Sequence, residues 1–243
     1  MKISVAQTKP LKGNIPANIE AHKKLIDLAI SNGAGMIIFP ELSITGYEPE
    51  LANDLATSQE DSRFNDFQEI SNSNQIIIGI GMPIKTATAP EIGLIIFQPH
   101  QPRLTYAKQH LHADELPFFV QGTQQVYLTA GGSKIALAIC YELSVPEHAA
   151  NVHSNKADIY LVSVAKTVSG VEKAIQTLSE TAGKYAMTVI MANCIGLCDG
   201  VICGGRSSSW NTSGQLSGQL DDENEGILML DTETGEVISE YWG

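Results

Sequence analysis

Apolar residues along this chain follow two patterns: short unbroken runs that read as buried strands, and spaced runs that recur at helical intervals. The chain opens on a strand-like segment, Met1 to Gln7. Asn14-Ile15-Pro16 then starts a helical stretch, in which Ile15, Ile19, Leu25, Ile26, Ala29 and Ile30 share one face until Asn32-Gly33 ends it. Strand runs follow at Met36 to Phe39, Ile76 to Ile80, Ile92 to Phe97 and Arg103 to Tyr106. The last two are joined by a turn around Pro99 and Pro102. Between the runs at Phe39 and Ile76, Leu51 to Asp61 is polar and reads as a loop, and Arg63 to Ser71 reads as a helix.

The second half repeats the alternation. Gly131-Gly132 prepares the apolar run Ile135 to Cys140. The spacing Ser144-x-x-Glu147 has the form of a capping box and Pro146 suits a first helical turn, so a helix is expected to begin there. A strand at 159 to 164, a helix at 171 to 185 and a strand at 188 to 192 come next. The tail alternates turns with strands at 207 to 210, 226 to 230 and 237 to 242. Strands and helices in this order predict an α/β protein with a large mixed sheet or two packed sheets, read as one domain over 1–243.

Charge narrows the partners. Fifteen basic against twenty-seven acidic residues give a net charge of −12, which argues against nucleic acid or an anionic membrane, since both call for a basic footprint. No apolar stretch approaches a membrane span, and the opening segment is too short in apolar residues for a signal peptide. A cytoplasmic protein is expected. The four cysteines, Cys140, Cys194, Cys198 and Cys203, then read as free thiols. The spacing C-x3-C-x4-C of the last three matches no common zinc pattern and has no closely spaced histidine, so no metal is expected.

Cys140 ends a buried strand and precedes a helix, the edge where open α/β sheets place their chemistry. A nearby helix N-terminus is expected to favour its thiolate, although a lone strand-end cysteine is more often an inert core residue. Glu41 follows the strand Met36 to Phe39 after Pro40, where burial would raise a carboxyl toward the range of a useful base. Lys108 follows the strand ending at Tyr106-Ala107; alone it would read as a solvated lysine.

Together these elements resemble the nitrilase superfamily of carbon–nitrogen hydrolases. The resemblance rests on Phe39-Pro40-Glu41-Leu-x-x-x-Gly46-Tyr47, Lys108-x-x-Leu111-x-x-x-Glu115 and Cys140-Tyr141-Glu142-x-x-x-Pro146-Glu147. Ala192-Asn193-x-x-Gly196 and Gly204-Gly205-x-Ser207 agree with it, so it runs over nearly the whole chain. It implies a four-layer α-β-β-α sandwich carrying a Glu-Lys-Cys triad. Cys140 would be the nucleophile, Glu41 the general base and acid, Lys108 the oxyanion stabiliser, and Glu115 the second glutamate that orients the lysine or the substrate. It further implies a small amide or carbamoyl substrate, a nitrile as the second choice, no metal or organic cofactor, and a homodimer or larger assembly. The C-terminal stretch from Glu240 to Trp242 and Gly243 is a candidate contact.

Two departures touch the pocket and leave the triad alone. Where many members carry Asp and then Arg after the nucleophile, this chain has Glu142 and Ser144, and Val164-Ala165-Lys166 replaces the usual Pro or aromatic loop. Tyr47, Tyr141, Glu142, Ala165 and Lys166 are the candidate pocket residues. Three rivals are weighed: a cysteine–histidine hydrolase using His110, His112, His148 or His153; the S-x-x-K spacing of Ser163 and Lys166; and a non-catalytic binding or interaction protein on the same fold.

Overall fold

A computed structural model describes residues 1–242; Gly243, the end of the candidate C-terminal contact, lies outside the described residues. The strands in chain order are β1 (Lys2–Gln7), β2 (Ala34–Ile38), β3 (Ile77–Ile84), β4 (Glu91–Phe97), β5 (Leu104–Ala107), β6 (Tyr127–Ala130), β7 (Ser133–Ile139), β8 (Ile159–Ser163), β9 (Thr188–Ala192), β10 (Ile195–Cys198), β11 (Val201–Gly204), β12 (Ser208–Trp210), β13 (Leu216–Gln219), β14 (Gly226–Asp231) and β15 (Val237–Tyr241). The helices are α1 (Ile15–Ser31), α2 (Ala52–Leu55), α3 (Asn65–Asn74), α4 (Pro146–Ser154) and α5 (Val168–Tyr185).

Seven strands form one sheet in the order β15-β14-β1-β2-β3-β4-β5, and six form a second in the order β13-β12-β9-β8-β7-β6. Each has a parallel centre, β1-β2-β3 and β7-β8-β9, flanked by antiparallel strands. Parallel centres are covered on both faces, which is why these strands read as unbroken apolar runs. Along β2, Met36 and Ile38 face the second sheet, while Ile37 and the following Phe39 face α1 and α3. The inner apolar layer joins Ile38, Leu94 and Leu228 of the first sheet to Leu137, Leu161 and Ile190 of the second. The outer layer packs Leu25 and Ile26 of α1 and Phe67 of α3 onto Ile78 and Phe97. With α4 and α5 against the second sheet, the layers are α-β-β-α.

Several local expectations shift. The loop predicted from Leu51 contains a short helix, α2, and β3 runs on to Ile84 through Pro83. Ser144 does not cap α4: Val145 precedes it and no side chain caps there. An additional 3-10 turn over Cys140–Ser144 takes up Ser144, and Glu142 turns back to accept the Ile139 N–H at 2.7 Å. The strands β6, β10, β11 and β13 are additions to the sequence reading. Among the described residues no helix is long and apolar enough to cross a membrane.

Leu161 sits at the centre of β8 with no exposed surface. Leu161→Ala is expected to lower unfolding free energy by about 2–5 kcal/mol, read from the urea midpoint; a cost near zero would show that the two sheets do not share a close-packed interior.

Candidate active site

Three strand ends deliver the site. Glu41 lies three residues beyond β2, Lys108 directly after β5 and Cys140 directly after β7. The first two come from one sheet and the third from the other. Ser163 Oγ at the end of β8 donates to Phe39 O at 2.8 Å, tying the two sheets together beside Glu41.

Lys108 is fully buried and bonded to both glutamates, to Glu41 Oε1 at 2.7 Å and Glu115 Oε1 at 2.6 Å. Glu115 is held in turn: Tyr47 Oη donates to its Oε1 at 2.9 Å and the His112 N–H to its Oε2 at 2.7 Å. Glu41 Oε2 is buried with no hydrogen-bond partner. The Cys140 thiol lies near enough to favour the charged Glu41, without reaching hydrogen-bond geometry. An ammonium has three N–H donors, so Lys108 keeps one beyond its two carboxylates.

Electrostatics follow from this burial. Desolvation raises the Glu41 carboxyl, opposed by Lys108 and reinforced by Glu115. Desolvation would lower Lys108, but Glu41, Cys140 and Glu115 together raise it, so it stays an ammonium. Cys140 is pushed up to about 11 by burial and then by Glu41, against the pull of Lys166 and Lys108. This corrects the expectation of a helix-favoured thiolate: α4 starts only after the intervening 3-10 turn, and burial outweighs any dipole. Burial thus favours the neutral Cys140 thiol and works against the charged form of Glu41 beside it.

Backbone geometry holds the reactive groups at sharp turns. Cys140 has φ 45° and Leu42, following Glu41, has φ 51°, both in the left-handed region; such residues cost on the order of 1–3 kcal/mol and persist only where the surroundings impose them. Around Glu41 the imposing contacts are identifiable. A Cβ on Gly81 would lie 2.3 Å from Pro40 O and 2.5 Å from Leu42 N, so only glycine lets β3 meet this turn. Ile44 N–H donates to Gly81 O at 3.0 Å. Beneath it, buried His22 stacks on Phe39 at 4.0 Å. Its Nδ1–H donates to Asn18 O at 2.7 Å, which leaves Nε2 to accept from Ser43 Oγ at 2.9 Å. Gly122 does the same for Lys108, whose carbonyl accepts its N–H at 2.8 Å. A Cβ there would lie 2.4 Å from Ala107 O.

Of the remaining sequence candidates, Tyr47, Tyr141, Ala165 and Lys166 are half-buried on the loops around this group. Asn193 holds the Lys166 loop, accepting the Lys166 N–H at 2.8 Å and donating to Lys166 O at 3.2 Å. The structure does not bring Glu142 into the group. It is fully buried and accepts from Tyr106 Oη, Gln109 N–H and Ile139 N–H at 2.6–2.7 Å. It thereby links the chain after Lys108 to the chain before Cys140. None of the four histidines weighed as a base bonds Cys140: His148 is engaged by Tyr106 and Tyr160, His112 by Asp114, and His110 and His153 stack on His148 and Tyr185. Ser163 bonds Phe39 O and not Lys166. His22, Ser43, Gly81 and Gly122 are absent from the sequence reading; a Gly79-Ile80-Gly81 pair inside a strand was the available sign of close backbone approach.

A surface cavity of about 760 Å³ is lined by His153, Tyr185, Trp210 and Asp231 among others and contains none of the triad. Volume without converging reactive groups carries no chemistry, so the site is assigned on the convergence at Cys140.

A buried Glu-Lys-Cys group at the strand ends of an α-β-β-α sandwich points to thiol-dependent hydrolases. The chain belongs to the carbon–nitrogen hydrolase family, whose model matches residues 2–239. Among solved structures, it is similar to an amidase from Nesterenkonia sp. AN1, with a TM-score of 0.87, 24% identity, 95% of this chain and 89% of that one covered. That structure shows the acetamide moiety of fluoroacetamide added covalently at the active-site cysteine. A cysteine-to-alanine variant of the same amidase, in complex with butyramide, matches equally well. Among curated proteins, the chain is 23% identical to the glutamine-dependent NAD(+) synthetase of Aquifex aeolicus, covering 98% of this chain and 43% of that protein. A probable nitrilase from Schizosaccharomyces pombe is 22% identical over 94% of this chain and 88% of its own length. The chain thus spans less than half the length of the NAD(+) synthetases it matches.

His22 gives a pH prediction. Burial lowers it from 6.5 to about 3 in the folded protein, so the unfolded chain takes up this proton first and stability is lost as pH falls from 6.5 toward 3. Denaturant unfolding at pH 7 and pH 5 should therefore show wild type losing more stability than His22→Gln; equal losses would place the histidine outside the support of the Glu41 turn.

Proposed function

We propose that this protein hydrolyses the C–N bond of a small non-peptide amide or carbamoyl compound, releasing ammonia through a thioester on Cys140. The observation that carries the proposal is the buried convergence of Glu41, Lys108 and Glu115 beside the Cys140 thiol.

In the first half-reaction Glu41 takes the Cys140 proton as Sγ attacks the carbonyl carbon. The tetrahedral oxyanion is stabilised by the remaining Lys108 N–H and the backbone N–H that follows Cys140. Glu41 then returns the proton to the departing nitrogen, and ammonia leaves an acyl thioester. In the second half Glu41 accepts a proton from water as it attacks the thioester, and the acid departs as the thiol regains its proton. Glu115 acts as a positioning residue, since all its hydrogen bonds serve Lys108, Tyr47 and the His112 backbone. Tyr47, Tyr141, Ala165 and Lys166 line the substrate pocket in this reading. The small amides bound to the Nesterenkonia amidase and the glutamine dependence of the NAD(+) synthetases supply the first compounds to try. Exposed Tyr241 and Trp242 support self-association at the C-terminal strand.

Ammonia release is to be measured across a panel of acetamide, butyramide, glutamine, carbamoyl amino acids and small nitriles. Cys140→Ala should abolish release, and Lys108→Ala should reduce kcat/KM by about a hundredfold or more. Activity that survives Cys140→Ala would remove the thioester route. The acid limb of kcat/KM should lie above 4.5, because burial raises Glu41 from that value and its protonation disables the base. A limb at or below 4.5 would show that Glu41 is not the titrating base.

A further inference from the structure

Cys194, Cys198 and Cys203 are scattered over ten residues of sequence, yet the fold gathers them. Their sulfurs all lie within 4.8 Å of one another, with Cys194 Sγ 3.4 Å from Cys198 Sγ, and all three are buried. The gathering is the work of the β10–β11 hairpin. Asp199 and Gly200 both have positive φ at its tip, and the register sets Cys198 opposite Val201 and Cys203 opposite Gly196. The hairpin is apolar on its outside, where Leu197, Val201 and Ile202 are exposed, and presents its thiols inward against Tyr47 and Ala165.

We infer that these three cysteines form a binding site for one thiophilic divalent cation of the zinc class. A tetrahedral zinc with sulfur at about 2.3 Å requires ligand sulfurs about 3.8 Å apart; this triangle has one edge of 3.4 Å and none longer than 4.8 Å, so small rotamer shifts would close it on an ion. Sequence spacing argued against zinc because finger and ribbon motifs draw their pairs from short knuckles; here a two-stranded turn brings the ligands together. Among the described residues no His, Asp or Glu side chain joins the three, so the fourth position falls to water or a small ligand. Binding exchanges three S–H protons for three metal–sulfur bonds with no change in oxidation state. A disulfide would use only two of the three thiols and require an oxidant.

Placement gives the ion a structural consequence. A two-stranded hairpin is marginal by itself in water. This one is fastened at its base, where Ile195 N–H donates to Thr8 O at 2.8 Å and Gly204 N–H to Lys166 O at 2.9 Å. At the tip, the Asp199 N–H reaches Glu48 Oε1 at 3.3 Å. A cation on its inner face would fix it between the Tyr47 and Ala165 loops, both of which border Cys140. The site stands on the hairpin alone and does not depend on which amide is cleaved.

The test is titration of the reduced, chelator-treated full chain with Cd2+ as the probe, followed by its ultraviolet thiolate-to-metal charge-transfer absorption. The expected result is saturation at one ion per chain, displacement by Zn2+, and an unchanged titration in Cys140→Ala. Cys198→Ser should weaken binding by at least about tenfold, as should Cys194→Ser and Cys203→Ser, with circular dichroism showing each variant folded. Absence of the band in the wild type, or its persistence at full affinity in folded Cys198→Ser, overturns the site. A disulfide joining two of the three in freshly isolated protein overturns it as well.

Discussion

The buried ammonium of Lys108 is the constraint that the site depends on. A lysine with no exposed surface would ordinarily lose its proton or unfold its surroundings. Here two carboxylates at 2.6–2.7 Å keep it charged. The requirement runs both ways, because Glu41 and Glu115 are themselves almost wholly buried. Removing one member of such a group leaves an unpaired buried charge at a cost of about 3–5 kcal/mol. Charge balance therefore fixes where the ends of β2 and β5 lie relative to each other, and catalysis inherits a donor whose position is already set.

The second sheet brings the thiol to this preformed pair. Raising Cys140 from 9.0 to about 11 makes a bare thiolate roughly 3 kcal/mol harder to form. A permanently ionised nucleophile would add a third anion beside one ammonium. Keeping the proton on sulfur until the proposed transfer to Glu41 avoids that excess, and the same burial that holds the thiol neutral raises Glu41. In the proposed reaction, nucleophile and base are thus matched by one desolvated environment. The left-handed backbone at Cys140 and Leu42 places both at the tips of their turns, with Gly81 and the His22–Ser43 contact bearing the close approach on the Glu41 side.

The strands of both parallel centres were legible because burial on two faces writes an uninterrupted apolar run, and α1 because its apolar face repeats over four turns. The edge strands β6 and β13 of the second sheet were not: both are short and carry exposed positions, so neither writes an apolar run. The β10–β11 hairpin did carry a signal, Asp199-Gly200, whose turn chemistry suits a tight hairpin. In the site, the motifs marked Glu41, Lys108, Glu115 and Cys140, but hydrogen-bond direction was invisible. Glu142 stands two residues from the nucleophile and still points to Tyr106 and the backbone. His22 has no motif, and only its three-dimensional place beneath Ser43 gives it a role.

Substrate choice then turns on which charges remain at the rim. Ser144, where the sequence resemblance leads one to expect an arginine, is exposed on the 3-10 turn and carries no charge. Lys166 is the cation outside the ion trio whose field reaches Cys140. It sits on a loop fixed by the buried Asn193 amide and abuts the cysteine hairpin through its carbonyl. Under the proposed reaction, a cation held in this way would meet an anionic substrate group on the Lys166 side of the pocket. The family model spans residues 2–239, and the solved amidase at 24% identity shares the fold.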